Sequence, residues 1–152
     1  MPQLLSEAFA EAQTSIVEWE GEPAYAIFEF KARDHFSVRF LNSKQLPVQG
    51  LRVKSTNSSL VVNGNEAAEM IFWADTAPEH IDVHIRPSGA EATLKIWNVW
   101  RGGMNVTQAW TGNAGMRVRQ SPTVIRLLCS DGRGRAGFDD LIAEIQAPAP
   151  QE

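Results

Sequence analysis

Three tryptophans with amide and guanidinium neighbours form the part of the chain best suited to binding a ligand. Residues 94–119 contain three of the five tryptophans. A flat indole offers apolar area to a sugar ring or another planar ligand, and nearby amides can satisfy its hydroxyl groups. The alternative is that each indole only fills space between sheets, because tryptophan is usually buried. The segment predicts a ligand site made of Trp97, Asn98, Arg101, Gln108, Trp110 and Asn113.

Strand alternation indicates which of these rings meets solvent. Along an extended segment, Leu94 and Ile96 point to the face opposite Trp97. Leu94 and Ile96 favour burial, so we expect Trp97 to face outward. Trp110 precedes a Gly-Asn turn, which places it near the surface.

Two histidines and a carboxylate on one strand face would suit a divalent transition metal. They are His80, Asp82 and His84, followed on the same face by Arg86. However, His80 and His84 lie about 13 Å apart along an extended strand, at about 3.3 Å per residue. The pattern therefore favours a solvated face, or one paired with a neighbouring strand, over a metal site.

Residues 131–140, DGRGRAGFDD, superficially resemble a calcium loop. An EF-hand loop needs oxygen ligands at its third and fifth positions, and this loop has arginine at both. We expect those arginines to pair with Asp139 and Asp140 instead. A cation held jointly by Asp131, Asp139 and Asp140 stays as the alternative, and no cofactor or metal is predicted.

The sequence contains no G-x-S-x-G nucleophile elbow, no P-loop and no dinucleotide fingerprint. Asp139 and Asp140 alternate to opposite faces of a strand, so they cannot flank a scissile bond together. Cys129 shares a face with Ile125 and Leu127, which predicts a buried thiol rather than a nucleophile. A non-catalytic protein is favoured, with an enzyme left open.

Charge is divided unevenly along the chain. Residues 1–30 hold six glutamates and no basic residue, whereas residues 86–135 hold eight basic residues, seven of them arginine, and two acidic ones. The simpler interpretation is that the acidic part packs beside the basic part; the sharper one is that the arginine-rich half faces an anionic ligand. The net charge of -4 argues against a nucleic-acid binder.

The elements that must position these residues are short strands. After Thr14, apolar and polar residues alternate with a period of two, most clearly at Ile81, Val83 and Ile85. About ten or eleven such segments are separated by turn signals, and the one helical stripe lies before Thr14. We therefore predict an all-β fold, an antiparallel β-sandwich of jelly-roll type with a short N-terminal helix.

The chain has 152 residues, which fits one domain. We predict a helical lead over 1–13, a single β-sandwich domain over 14–146 and a disordered tail over 147–152. No apolar run is long enough for a membrane span, and the first residues lack the features of a secretory signal. A cytoplasmic protein that binds neither membranes nor nucleic acid is expected.

Three stretches, NVWRGG, QAWTGNAGM and CSDGRGRAGFDDLIAEI, resemble a small group of bacterial all-β proteins of unassigned function. The FDDLIAEI ending is also similar to the last strand of carbohydrate-binding jelly rolls. The resemblance covers roughly the last third of the chain. It implies the fold and assigns no functional residue.

Together these patterns predict a non-catalytic binding module for a carbohydrate or another small polar ligand, held near Trp97, Arg101 and Trp110. The alternative is an interaction or assembly module, in which the outward Trp and Arg side chains dock a second copy of the chain or a partner subunit. Tryptophan and arginine are common anchors of protein interfaces.

Overall fold

Alternation of apolar and polar residues builds the strands that face the core. The computed structural model describes residues 3–89 and 91–147. In the strand Ile81–Arg86 the apolar residues are buried and the polar residues are exposed. The strand Phe28–Arg33 follows the same pattern, so both strands have one covered face, as the sequence predicted.

The described residues form one α-helix and fourteen strands. The sequence predicted ten or eleven strands, so there are three more than the larger of these numbers. The additional strands are Ile16–Trp19, Glu22–Tyr25 and Asn65–Ala67. The sequences of the first two mix glutamates with apolar residues, and the third has a single apolar residue, so none of the three sequences alternates clearly between apolar and polar residues. In chain order the elements are α1 (Leu5–Ala12), β1 (Ile16–Trp19), β2 (Glu22–Tyr25), β3 (Phe28–Arg33), β4 (His35–Ser43), β5 (Gln49–Ser55), β6 (Ser59–Val62), β7 (Asn65–Ala67), β8 (Glu69–Trp73), β9 (Ile81–Arg86), β10 (Glu91–Arg101), β11 (Thr107–Gln108), β12 (Gly115–Gln120), β13 (Val124–Ser130) and β14 (Leu141–Gln146).

The strands pair antiparallel in two sheets. Nine strands form one sheet, in the order β1-β2-β12-β13-β14-β4-β9-β6-β7. The other sheet has five strands, with the order β11-β10-β5-β8 and with β3 also paired to β10. β3 pairs with residues 91–96 of β10, and β11 pairs with residues 100–101. The predicted antiparallel sandwich with a short N-terminal helix is confirmed.

The hydrophobic core lies between the two sheets. Phe36 and Leu127 are fully buried on the nine-stranded sheet, and Leu51 and Leu94 are fully buried on the five-stranded sheet. All four belong to one cluster of buried residues. Burial of each such side chain contributes about 1.5–3 kcal/mol, so the core is the main source of stability for the sandwich.

The helix α1 is held at its beginning by the turn before β12. Leu5 N donates to Asn113 Oδ1 at 3.0 Å, and Ser6 N donates to Gly112 O at 2.9 Å. These bonds satisfy two of the N–H groups that a helix leaves free at its start. Within the described residues, no helix is long and apolar enough to cross a bilayer.

The residue pattern of Met104 to Trp110 also predicts a strand, but the structure contradicts this prediction over most of the segment. Met104 and Asn105 have φ angles of 60° and 59°, which lie outside the strand region. They belong to a 3₁₀ turn at Gly103–Asn105, and only Thr107–Gln108 pairs with β10. Local backbone conformation therefore overrides the apolar pattern of this segment.

Of the tail predicted to be disordered, 147–152, the described residues include Ala147. Residues 148–152 lie outside the described residues. Ala147 N donates to Thr123 O at 3.2 Å, so the backbone of Ala147 is tied to the β12–β13 turn.

The acidic N-terminal part of the chain does pack beside basic residues of β12. The buried Arg117 donates from Nη1 to Glu22 O at 2.7 Å and to Pro23 O at 3.0 Å, and from Nη2 to Trp19 O at 2.7 Å. Arg119, two residues further on, forms an exposed ion pair with the Glu22 carboxylate at 3.2 Å. Arg117 Nε also lies 3.4 Å from Glu22 Oε2. Both arginines therefore pair with the Glu22 carboxylate, but Arg117 is buried and also binds three backbone carbonyl groups of the β1–β2 hairpin.

We predict that Arg117→Lys lowers the free energy of unfolding by about 1.5–3 kcal/mol, because an ammonium cannot reproduce the fork that reaches these carbonyl groups. The matched change Arg119→Lys should cost less than about 1 kcal/mol, since its ion pair is exposed. Urea unfolding followed by circular dichroism measures both. Equal losses for the two variants would contradict this assignment.

Candidate functional site

Strand β10 is buried on both of its faces toward its end. Ile96 and Trp100 face the core, while Trp97 and Val99 point to the outer side of the five-stranded sheet, yet all four are buried. An outer face of a sandwich is normally open to water. Other side chains must therefore cover this part of the sheet.

Trp110 covers Trp97. The ring centroids lie 5.0 Å apart with an angle of 32° between the ring planes, and Trp110 Nε1 donates to Ala26 O at 3.0 Å. Trp97 is 6% exposed, whereas Trp110 is 47% exposed. The ring that meets solvent is therefore Trp110, and the predicted outward ring, Trp97, lies on the outer face as its support.

The backbone at Trp110 adopts a conformation that large side chains rarely take. Its φ angle is 60°, in the left-handed region, where a bulky residue costs about 1–3 kcal/mol. The indole N–H bond to Ala26 O and the contact with Trp97 hold the ring in one orientation. Two contacts therefore stabilise this orientation of the exposed ring.

Trp73 covers the neighbouring part of the sheet. Its indole lies against Gly50, where an added Cβ would come within 2.7 Å of the ring. The guanidinium of Arg101 lies 4.5 Å from the centroid of the Trp73 ring, and its Nη1 lies 3.4 Å from Asp75 Oδ2. Glycine is needed at position 50 because it lets the indole approach the backbone.

Arg52 completes this surface on the neighbouring strand. Its guanidinium carbon lies 6.0 Å from the centroid of the Trp97 ring, and its Nη2 donates to Glu69 Oε2 at 2.8 Å. This hydrogen bond raises the pKa of Arg52 and lowers the pKa of Glu69, so both groups are charged at neutral pH. We call the surface formed by Arg52, Trp73, Trp97, Arg101 and Trp110 the Trp/Arg face.

The other residues of the predicted site are elsewhere or turned away. Asn98 is buried, and its amide donates to Ser130 O at 2.7 Å across the two sheets. Asn113 binds the start of α1 and donates to Gly134 O at 2.9 Å. Gln108 is exposed beside Gly102. Of the six predicted residues, the structure brings Trp97, Arg101 and Trp110 onto the Trp/Arg face.

The loop that resembles a calcium site instead holds a lysine. Asp131 is fully buried, and its Oδ2 accepts hydrogen bonds from Lys44 Nζ at 3.1 Å and from Gln49 Nε2 at 2.9 Å. Its Oδ1 accepts from the backbone N–H of Arg133 at 2.9 Å. The ammonium of Lys44 therefore supplies the positive charge that the buried carboxylate needs.

Asp140 belongs to the same cluster. Its Oδ2 accepts a hydrogen bond from Asp131 N at 2.9 Å, and its Oδ1 lies 3.7 Å from Lys44 Nζ. Within the described residues, the salt bridges of Asp131 and Asp140 go to Lys44 and not to the expected arginines. Asp139 is exposed.

The remaining chemical candidates are placed as follows. Asp82 and His84 are exposed on β9, and His80 is exposed just before it. Among the described residues, no three His, Cys, Asp or Glu side chains are grouped so that they could hold a metal ion. Cys129 is fully buried, as predicted, and burial raises the pKa of its thiol.

The fold and these sites place the chain among antiparallel β-sandwich proteins with an aromatic outer surface. Comparisons with protein-family models, with curated proteins and with solved structures find no match to it. A function therefore has to be inferred from the arrangement of the described side chains and from the sequence patterns.

We predict that Asp140 makes the protein less stable as pH rises above the normal range of aspartate. Burial raises the pKa of Asp140 above its usual value of 3.8, so the folded state binds this proton more tightly than the unfolded chain. The stability that the group contributes is complete below 3.8 and is lost as pH rises through the folded value.

Asp140→Asn cannot titrate and should lack this loss. The unfolding free energy of the wild type minus that of the variant should therefore fall as pH rises above 3.8. Urea unfolding across this range measures it. Asp139→Asn removes an exposed neighbour that adds least to the raised pKa of Asp140, so it should keep most of the wild-type profile. Parallel profiles for wild type and Asp140→Asn would contradict the assignment.

Proposed function

We propose that this chain is a non-catalytic binding module whose Trp/Arg face holds a carbohydrate or another small polar ligand. The observation that carries the proposal is the ring of Trp110, which is 47% exposed and is oriented by its hydrogen bond to Ala26 O and its contact with Trp97. An aromatic ring that is already fixed loses little conformational entropy when a ligand stacks on it. Sugar rings stack on indoles through their apolar C–H faces.

Polar groups on the same face suit hydroxyl groups. Arg101 offers guanidinium donors, and its partner Asp75 offers carboxylate acceptors. A ligand hydroxyl both donates and accepts hydrogen bonds, so a donor and an acceptor side by side can satisfy it. Arg101 is four residues from Trp97 along β10, about 13 Å on an extended strand, which favours an extended ligand over a single small ring.

The similarity of FDDLIAEI to the last strand of carbohydrate-binding jelly rolls agrees with this proposal. In the structure this segment supplies Phe138, Asp140 and all of β14 except Gln146. The segment contributes no residue to the Trp/Arg face. Its similarity therefore supports a jelly-roll fold and does not identify a ligand contact.

We predict that Trp110→Ala weakens binding of a glycan by about 10–30-fold, equal to about 1.4–2 kcal/mol, because the stacking surface is lost. Trp110→Phe should retain most of the affinity. A glycan panel first identifies a ligand of the wild-type protein, and calorimetry then compares the variants, since removal of a tryptophan alters the fluorescence signal itself.

Ile16→Ala is the matched control, because Ile16 is 49% exposed and lies on β1 of the other sheet. It should bind as the wild type does. A panel with no ligand for the wild-type protein, or an unchanged affinity in Trp110→Ala, would overturn the proposed function.

A second candidate function is self-association, and a different observation favours it. Met104 is 98% exposed and Val106 is 56% exposed in the connection between β10 and β11. Together with Trp110 they offer apolar area and an aromatic anchor to a second copy of the chain. The buried Trp97 supports this surface from below and is not itself free to contact a partner.

If the chain self-associates through this connection, its mass by light scattering should rise above 16.8 kDa with concentration. Met104→Glu should return the mass to that of one chain, because a charge cannot be buried there without a partner. Ile16→Glu, on the other sheet, should have no effect. A constant monomer mass at all concentrations would exclude this candidate.

A further inference from the structure

Two histidines lie directly opposite each other on neighbouring strands of the nine-stranded sheet. His35 of β4 pairs in register with His84 of β9. Their ring centroids are 6.1 Å apart with an angle of 36° between the planes, and both side chains are exposed. The sequence pattern groups His84 with His80, four residues away along the chain. It does not reveal His35, which becomes a neighbour of His84 only through strand pairing.

This spacing suits a shared metal ion. Zinc binds imidazole nitrogens at about 2.0–2.1 Å, so one ion needs two nitrogens within about 4 Å of each other. Nitrogens on the ring edges come closer together than the centroids when the rings point toward each other. The χ2 torsion of histidine is broad, and the exposed rings can turn without displacing core side chains.

The surroundings of the pair are open and largely balanced in charge. The histidines line a depression of about 590 Å³, together with Asp34 and Arg86. The guanidinium of Arg86 is partly neutralised by Glu66, at 3.7 Å. Asp34 accepts a hydrogen bond from Gly89 N at 2.7 Å through Oδ1, which fixes its carboxylate at the rim.

We propose that His35 and His84 form a binding site for one divalent transition-metal ion of the zinc class. Imidazole is a good ligand for zinc and copper ions. Because the described residues contain no three-ligand cluster, water completes the coordination, and the site is weaker than a four-ligand structural zinc site. It lies on the other sheet from the Trp/Arg face and is independent of the proposed function.

Titration of the full chain with Zn²⁺ tests the site. Calorimetry should give one ion per chain. The chain has three histidines, so their ring proton resonances can be followed one by one, and those of His35 and His84 should shift or broaden together while that of His80 stays in place. This readout uses the wild-type protein and does not depend on the folding of a variant.

Variants then separate the pair from general histidine binding. His35→Gln and His84→Gln should each weaken Zn²⁺ binding by at least about tenfold, since loss of even an outer-shell partner of a metal ligand costs about 10–100-fold. His80→Gln is the matched control and should bind as the wild type does. No saturable binding by the wild type, or an equal loss in His80→Gln, would overturn the proposal.

Discussion

The burial of β10 on both faces determines how the outer surface of the five-stranded sheet is built. Trp97 and Val99 point away from the core and still have to be removed from water. Trp110 covers Trp97, and Trp73 lies across Gly50, the residue paired with Val99. An apolar strand sequence, IWNVW, thus requires large side chains from β8 and from the β11–β12 connection, and these side chains give the sheet its aromatic surface.

Regular alternation was enough to predict the strands with one covered face, such as β9, and the sandwich as a whole. It failed where backbone conformation or burial did not follow the pattern. Met104 and Asn105 have positive φ angles in a segment whose residue pattern predicts a strand. Trp97 has the outward parity that alternation assigns, but its burial depends on Trp110, a residue thirteen positions later whose placement no local pattern encodes. Pairing of His35 with His84 likewise depends on the order of the strands, which a period of two cannot supply.

Polar groups buried between the sheets explain why several candidate site residues turned out to be structural. Asn98 on the five-stranded sheet donates to Ser130 O on the other sheet, and Gln49 reaches Asp131 in the same way. Each bond crosses the core near the end of β13, where Lys44 neutralises Asp131. A buried carboxylate with a fixed ammonium partner has little room for a metal ion. Sequence spacing could not identify Lys44, because it is eighty-seven positions away along the chain.

Packing alone does not explain why a half-exposed indole, that of Trp110, covers Trp97 on the five-stranded sheet. A leucine or methionine could shield Trp97 without a large exposed ring and without a bulky residue at a φ of 60°. The cover is instead an indole with 47% of its surface in solvent, and each arginine of the Trp/Arg face has its own carboxylate partner, Glu69 or Asp75. A strained backbone that presents a fixed aromatic ring among paired charges costs stability, and such costs concentrate at binding sites. The same reasoning applies to the exposed pair His35 and His84, because neither side chain belongs to the hydrophobic core. Features that folding does not require, such as the exposed Trp110 ring, are therefore the ones from which a binding role is proposed.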